Sequence, residues 1–235
     1  MVNSVKKRSG RPAWAIIWRK TTSVTPSMGA RTVKGVGSCS QIFISVMIPY
    51  FCLWGKCSII VDMELVLVLD NIRSTYNVGA ILRTAEGFGV ARVIMSGYTP
   101  RVHDADLLPH LRDKLDREIH KTALGAEDML DIYSCGDIMT ELMRLKGEGY
   151  QIVGLENNID DDRLYRLDDK RLLERLGDKV VLILGEEVHG INYSLYDIID
   201  LFVEIPMKGQ KESFNVSVAA GIAMWGLAGY NWEKE

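Results

Sequence analysis

The sequence predicts an α/β domain built on a parallel sheet and starting near residue 63. Short apolar runs recur along the chain, at Leu65–Leu69, Ala91–Met95, Tyr150–Leu155, Val180–Leu184 and Leu201–Ile205. Each is apolar almost throughout rather than alternating, the pattern of strands covered on both faces. The stretches between them are long enough for crossover helices, which parallel neighbours require.

Taken in order, Leu65–Leu69 is the first strand and Asp70–Asn77 the loop after it. Asn77 is placed to cap a helix running from Val78 to Gly87, since a short polar side chain satisfies the first free amides. Gly79 lets another backbone come close to that helix. Ala91–Met95 then completes a βαβ unit. The final helix is expected from Val216 to about Tyr230, and Ala219, Ala220, Gly221 and Ala223 again allow a close approach.

Composition supports one ordinary folded domain, with 47% hydrophobic and 25% charged residues among 235. Charge is divided unevenly. Residues 1–62 hold nine basic side chains against the single acid Asp62, leaving 19 of the 28 basic and 30 of the 31 acidic groups to residues 63–235. The leader lacks helical or strand period and reads as disordered. Its apolar stretches, Ile42–Trp54 and Cys57–Val61, are interrupted by Lys56, contain Pro49 and fall short of a membrane span. Translation is therefore expected to begin at Met63, with residues 1–62 lying upstream of the native protein. Cys39, Cys52, Cys57 and Cys135 form no CxxC pair, and His103, His110, His120 and His189 show no ligand spacing. Neither a disulfide framework nor a metal follows, and a reducing cytoplasm is expected.

Three segments at the ends of expected strands carry chemistry, where open α/β sheets place ligands. The first runs from Asn71 to Gly89 and contains Asn77 and Arg83. The second is the strand Val180–Leu184 followed by Gly185, Glu186, Glu187, Val188, His189, Gly190 and Ile191. The third runs from Ile205 through Pro206, Met207, Lys208 and Gly209 to Ser213, Phe214, Asn215, Val216 and Ser217. Alone, each has a plain structural explanation as a cap, a surface pair or a polar turn.

In this order they resemble the SpoU (TrmH) branch of the SPOUT RNA methyltransferases, whose patterns NxGaixRtaxxfG, lxlGxExxGi and IPMxGxxxSxNVSvA they match. The resemblance spans nearly all of residues 63–235. It implies the SPOUT fold, a parallel α/β sheet whose C-terminal segment threads a loop to form a trefoil knot. It also implies S-adenosylmethionine as cofactor, cradled largely by backbone at Leu155, Gly185, Ile205, Met207, Ser213 and Phe214. The activity implied is methyl transfer to a ribose 2′-hydroxyl of tRNA or rRNA. Arg83 would activate or orient that hydroxyl, with Asn77, Glu186, Ser213 and Asn215 around it. Because arginine stays protonated, its part would be electrostatic rather than that of a base. The family also implies a homodimer whose active site is completed across the interface.

Two features fit less simply. Position 214 is Phe where the family commonly has Leu, a conservative change. The acidic balance of residues 63–235 is unusual for a protein that holds RNA. Local cations at Arg92, Arg101, Arg112, Lys114, Arg117 and Lys121, and at Lys208 and Lys211, are the candidates to hold it. The segment Arg112–Lys121, with its interleaved acids, reads equally as a solvated helix face. A conventional doubly wound methyltransferase is disfavoured because the loop after Leu65–Leu69 lacks a GxGxxG turn. A non-catalytic RNA-binding relative is the alternative from another class, and a membrane-tethered form would rest wholly on Ile42–Val61. DNA is not an expected partner.

Overall fold

The computed structural model describes residues 63–227. The expectations for residues 1–62, and for the last helix beyond Leu227, lie outside the described residues. Within them the chain forms β1 (Glu64–Asp70), α1 (Thr75–Gly87), β2 (Arg92–Ser96), α2 (Pro109–Ala123), β3 (Ile132–Ser134), α3 (Ile138–Gly147), β4 (Gln151–Leu155), β5 (Leu164–Arg166), α4 (Lys170–Arg175), β6 (Lys179–Leu184), β7 (Leu201–Glu204) and α5 (Val216–Leu227). Short 3-10 turns occupy Ala126–Asp128 and Tyr193–Leu195.

The strands make one sheet in the order β3-β2-β1-β6-β4-β7-β5, with every pairing parallel. All carboxyl ends therefore lie on one edge. The apolar runs are buried on both faces, as expected, and alternate residues enter two different cores. Leu65, Leu67 and Leu69 of β1 join a core covered by α1, α2 and α5, with Ile81, Leu82, Ile119 and Met224 in it. Val66 and Val68 point the other way, into a core with Leu142 and Leu145 of α3, Ile191, Leu195 and Phe202. Two-sided burial of this kind contributes roughly 1.5–3 kcal/mol per large aliphatic side chain. Register follows from it, since a slip of one residue would exchange the two sets.

The helix after β1 starts earlier than the sequence suggests. Ser74 is its N-cap, and its hydroxyl accepts from the Asn77 backbone N–H at 3.3 Å. Asn77 instead lies in the first turn, which frees its side chain for other partners. A Cβ on Gly79 would sit 2.3 Å from Ile119 O and 2.2 Å from Thr122 Oγ1, so the glycine permits α1 to press against α2. A Cβ on Gly221 of α5 would meet only ordinary contact, 3.6 Å from Thr84 Cγ2. That position does not depend on the missing side chain. The edge strands β3 and β5 were not expected from the sequence. Both are three residues long, with half-buried and exposed residues, so they carry no apolar run.

Candidate active site at the carboxyl edge of the sheet

The loop after β1 is fixed first. Asp70 is buried and accepts from Ser96 Oγ at 2.5 Å and from Asn71 Nδ2 at 3.1 Å. Thr99 Oγ1 donates to Leu69 O at 2.8 Å and accepts from Ile72 N–H at 3.1 Å. Asn71 takes a left-handed backbone, φ 59°, and its Oδ1 accepts from Tyr98 N–H at 3.3 Å. These bonds lock the ends of β1 and β2 together and aim Arg73 outward.

Arg73 then bridges two other segments. Its guanidinium pairs with Glu186 and donates through Nε to Tyr98 Oη at 3.5 Å. Its backbone N–H donates to Glu187 Oε2 at 3.3 Å. Hydrogen bonds to Tyr98 and Glu186 raise the Arg73 pKa further, so it stays charged. Glu186 is pushed up by desolvation, but hydrogen bonds from Tyr98 and Arg73 and the Arg73 charge outweigh this and hold it below the usual carboxylate range.

Asn77 completes the junction. Its Nδ2 donates to Glu187 Oε1 at 3.1 Å, and its Oδ1 accepts from Asn215 Nδ2 at 3.2 Å. Asn215 in turn accepts from Ser217 N–H at 2.9 Å, ordering the start of α5. The three sequence segments thus meet in side-chain hydrogen bonds. Asn77, Glu186 and Asn215 are the residues expected from the sequence, whereas Arg73 and Glu187 lie inside the same segments without being marked by them. The bonds that join them to the other segments span more than 100 residues, and no local pattern carries that signal.

Of the expected cofactor residues, Leu155 ends β4, Gly185 and Ile205 directly follow β6 and β7, and Met207, Ser213 and Phe214 lie in the loop between β7 and α5. Leu155 pairs with Leu184 on one side and Val203 on the other, which sets Leu155, Gly185 and Ile205 next to one another at the same edge. Asn157 ties this edge to the third segment: Ile205 N–H donates to its Oδ1 at 3.1 Å, and its Nδ2 donates to Ile205 O at 3.1 Å and Glu212 O at 3.3 Å. The Glu156 carboxylate accepts from the buried Ile191 N–H and so holds the end of the Gly185–Ile191 turn. Burial raises the Glu156 pKa against the opposing pull of the Ile191 and Asn157 amides. A Cβ on Gly185 would lie 2.3 Å from the Gly190 carbonyl carbon, so this turn closes only because position 185 has no side chain.

Leu155 and Met207 are half-buried and Phe214 is 41% exposed, leaving apolar surface at this edge. That combination suits an adenine ring and a thioether chain. Ser213 is exposed and its hydroxyl has no hydrogen bond among the described residues, so it is not drawn into the Asn77 cluster. Arg83 is not brought there either. It is exposed and has no partner among the described residues. Six residues beyond Asn77 on α1, it points about 120° away around the helix. No group of three or more His, Cys, Asp or Glu side chains among the described residues is placed to hold a metal, and no helix there is long and apolar enough to cross a membrane.

Known proteins agree with this architecture. The model of the SpoU rRNA Methylase family matches residues 64–225. A 23S rRNA (guanosine-2′-O-)-methyltransferase, RlmB, of Xylella fastidiosa is 34% identical over 164 residues, covering 68% of this chain and 57% of that protein. The Nitrosomonas europaea protein of the same name is 34% identical over 164 residues, covering 70% and 55%. The chain thus spans a little over half the length of these relatives. Among solved structures, the AdoMet-bound rRNA methyltransferase of Sinorhizobium meliloti superposes with a TM-score of 0.56 at 21% identity, over 72% of this chain and 59% of that one. The A. aeolicus TrmH/SpoU tRNA modifying enzyme gives 0.55 at 23% identity, over 72% and 77%. At such identities the two structures speak for the fold.

Proposed function

Because the chain belongs to the SpoU rRNA Methylase family, we propose that it transfers a methyl group from S-adenosylmethionine to a ribose 2′-hydroxyl of ribosomal or transfer RNA. The observation that carries this reading is the junction of the three segments through Asn77, Asn215, Glu187, Arg73 and Glu186 at the carboxyl edge. The relatives named for guanosine 2′-O-methylation of 23S rRNA make ribosomal RNA the first substrate to test.

S-adenosylmethionine, when bound, supplies an electrophilic methyl on a sulfonium. Leu155, Met207 and Phe214 give the apolar surface for its adenine and thioether parts, and the main chain at Gly185 and Ser213, with the second lone pair of the Ile205 carbonyl, gives hydrogen-bonding groups. A ribose hydroxyl is a weak nucleophile at neutral pH, so it must be held in line with the methyl carbon while its oxygen sheds a proton. The cofactor held there would supply the methyl carbon for that oxygen, and the hydroxyl proton would pass to solvent or a phosphate oxygen. Arg83 stays protonated and stabilises the charge developing on that oxygen. Asn77, Glu186, Ser213 and Asn215 shape the pocket.

Arg83 stands apart from the Asn77 junction in its own chain, which supports a homodimer in which one protomer's Arg83 serves its partner's site. The return of the chain from β7 past Asn157 to α5 supports the knotted SPOUT topology for residues 205–227. We place the enzyme in the cytoplasm, where a reduced Cys135 is stable. Mapping 2′-O-methyl sites in total RNA from cells with and without the gene tests the proposal. One lost site is expected; loss of none would favour a non-catalytic RNA-binding protein.

A further inference from the structure

The domain after residue 62 is acidic, yet one face of α2 is not. His110, Lys114, Arg117 and Lys121 are spaced four, three and four residues apart and are all exposed, so they form one stripe along the helix. The stripe lies opposite the core-facing Ile119. From His110 to Lys121 it runs about 16 Å.

The acids of the same helix are turned to other work. Asp116 accepts from the His103 N–H at 2.9 Å and contacts its ring Nδ1 at 3.2 Å. Glu118 accepts from Thr75 Oγ1 at 3.4 Å, and Asp113 lies 4.0 Å from Arg112. His110, Lys114 and Arg117 have no partner among the described residues. Among the described residues, none of these acids forms an ion pair with the stripe.

One end of the stripe is joined to the active site. Lys121 Nζ lies 5.8 Å from the centroid of the Tyr76 ring, which is 50% exposed. Thr122 Oγ1 donates to Tyr76 O at 3.0 Å, and Gly79 seats α1 on α2 just beyond. Tyr76 immediately precedes Asn77. The exposed Tyr76 ring thus lies at the Lys121 end of the stripe, one residue before Asn77 of the junction.

We propose that the His110, Lys114, Arg117 and Lys121 face of α2 is the track for the phosphate backbone of single-stranded substrate RNA, ending on Tyr76, where a base flanking the target ribose stacks. Lysine and arginine contacts to phosphate supply sequence-independent affinity, and stacking on an exposed ring holds an unpaired base. This rests on the RNA methyltransferase reading, since it names how that site receives its substrate.

The test uses the full chain, a fluorescein-labelled 12-nucleotide oligouridylate, and RNA from cells lacking the gene. Combined Lys114→Ala, Arg117→Ala and Lys121→Ala substitutions should weaken oligonucleotide binding tenfold or more. They should also make the slope of log K against log salt shallower by about 2, at roughly 0.7 per single-strand phosphate contact. Tyr76→Ala should weaken binding roughly fivefold or more with the slope unchanged. S-adenosylmethionine affinity should stay the same in both. Combined Arg171→Ala, Arg175→Ala and Lys179→Ala substitutions remove the same net charge from α4 and the start of β6, and should leave binding within twofold.

Equal losses in the two triple variants, or none in the first, would overturn the track, as would a wild-type protein that does not bind the oligonucleotide. If the wild type methylates RNA while the α2 variant keeps the same KM and affinity, the track fails and the enzymatic reading stands. If the α2 variant loses binding while the wild type methylates no RNA, the track stands and the enzymatic reading fails.

Discussion

Asn215 and Asn77 lie 138 residues apart in the chain, yet the side-chain amide of one donates to that of the other at 3.2 Å. The bond works in one direction because the Asn77 Nδ2 is committed to Glu187. Asn77→Asp would replace that donor with a second carboxylate facing Glu187. The site is exposed, so the stability cost should be modest, about 1 kcal/mol. Turnover should fall far more, about a hundredfold, because the Glu187 loop is repelled from α1, while the retained oxygen still accepts from Asn215 Nδ2. Thermal melts and single-turnover methyl transfer measure the two effects; wild-type turnover would make the Asn77–Glu187 bond merely structural.

Arg83 gives the opposite profile. With no partner to lose and an exposed side chain, Arg83→Ala should change stability by less than about 0.5 kcal/mol. Cofactor affinity should also be unchanged, while methyl transfer is abolished. If Arg83 acts on the partner's site, mixing inactive Arg83→Ala protein with inactive Asn215→Ala protein should restore part of the activity, because mixed dimers hold one site with both residues intact. Retained turnover in Arg83→Ala, or failure of the mixture to recover, would refute the corresponding claim.

Two glycines in neighbouring loops should respond differently to one added methyl group. At Gly185 the new Cβ would meet the backbone of Gly190 and Ile191 within 2.5 Å, and backbone cannot yield cheaply. Gly185→Ala should cost more than about 2 kcal/mol through strain in the turn, and S-adenosylmethionine binding should be lost with it. At Gly209 nothing lies within 4 Å, so Gly209→Ala should stay within about 0.5 kcal/mol. Calorimetric titration of cofactor into each variant compares them, and equal affinities would remove Gly185 from the cofactor site.

The central strands were legible because burial on both faces writes a continuous apolar run, as at Leu65–Leu69 and Val180–Leu184. The edge strands Ile132–Ser134 and Leu164–Arg166 were not, because an edge needs only a few half-covered residues. The cap of α1 was misassigned for a related reason. Ser74, Thr75 and Asn77 are all competent caps, and the choice depends on Asn77 being claimed by Glu187 and Asn215. Arg73 illustrates the limit most directly. Its value lies in reaching Glu186, 113 residues away, a proximity created by the adjacency of β1 and β6 rather than by any pattern near Arg73.

Glu156 makes the turn that would hold the cofactor sensitive to pH. Burial raises its carboxyl above the ordinary 4.5, so the folded state holds a proton that the unfolded chain releases earlier. Its stabilising contribution is therefore complete below about 4.5 and is lost as pH rises through the folded value. At neutral pH the carboxylate is retained at a cost. Glu156→Gln keeps an oxygen to accept from Ile191 N–H but carries no charge, so it should match the wild type near pH 4 and melt higher at pH 7.5. Glu156→Ala leaves that buried N–H unpaired and should cost about 1–3 kcal/mol at both pH values. Thermal melts of the three proteins between pH 4 and 8 decide the matter, since a gap between wild type and Glu156→Gln that does not widen with pH would show that the carboxyl titrates normally.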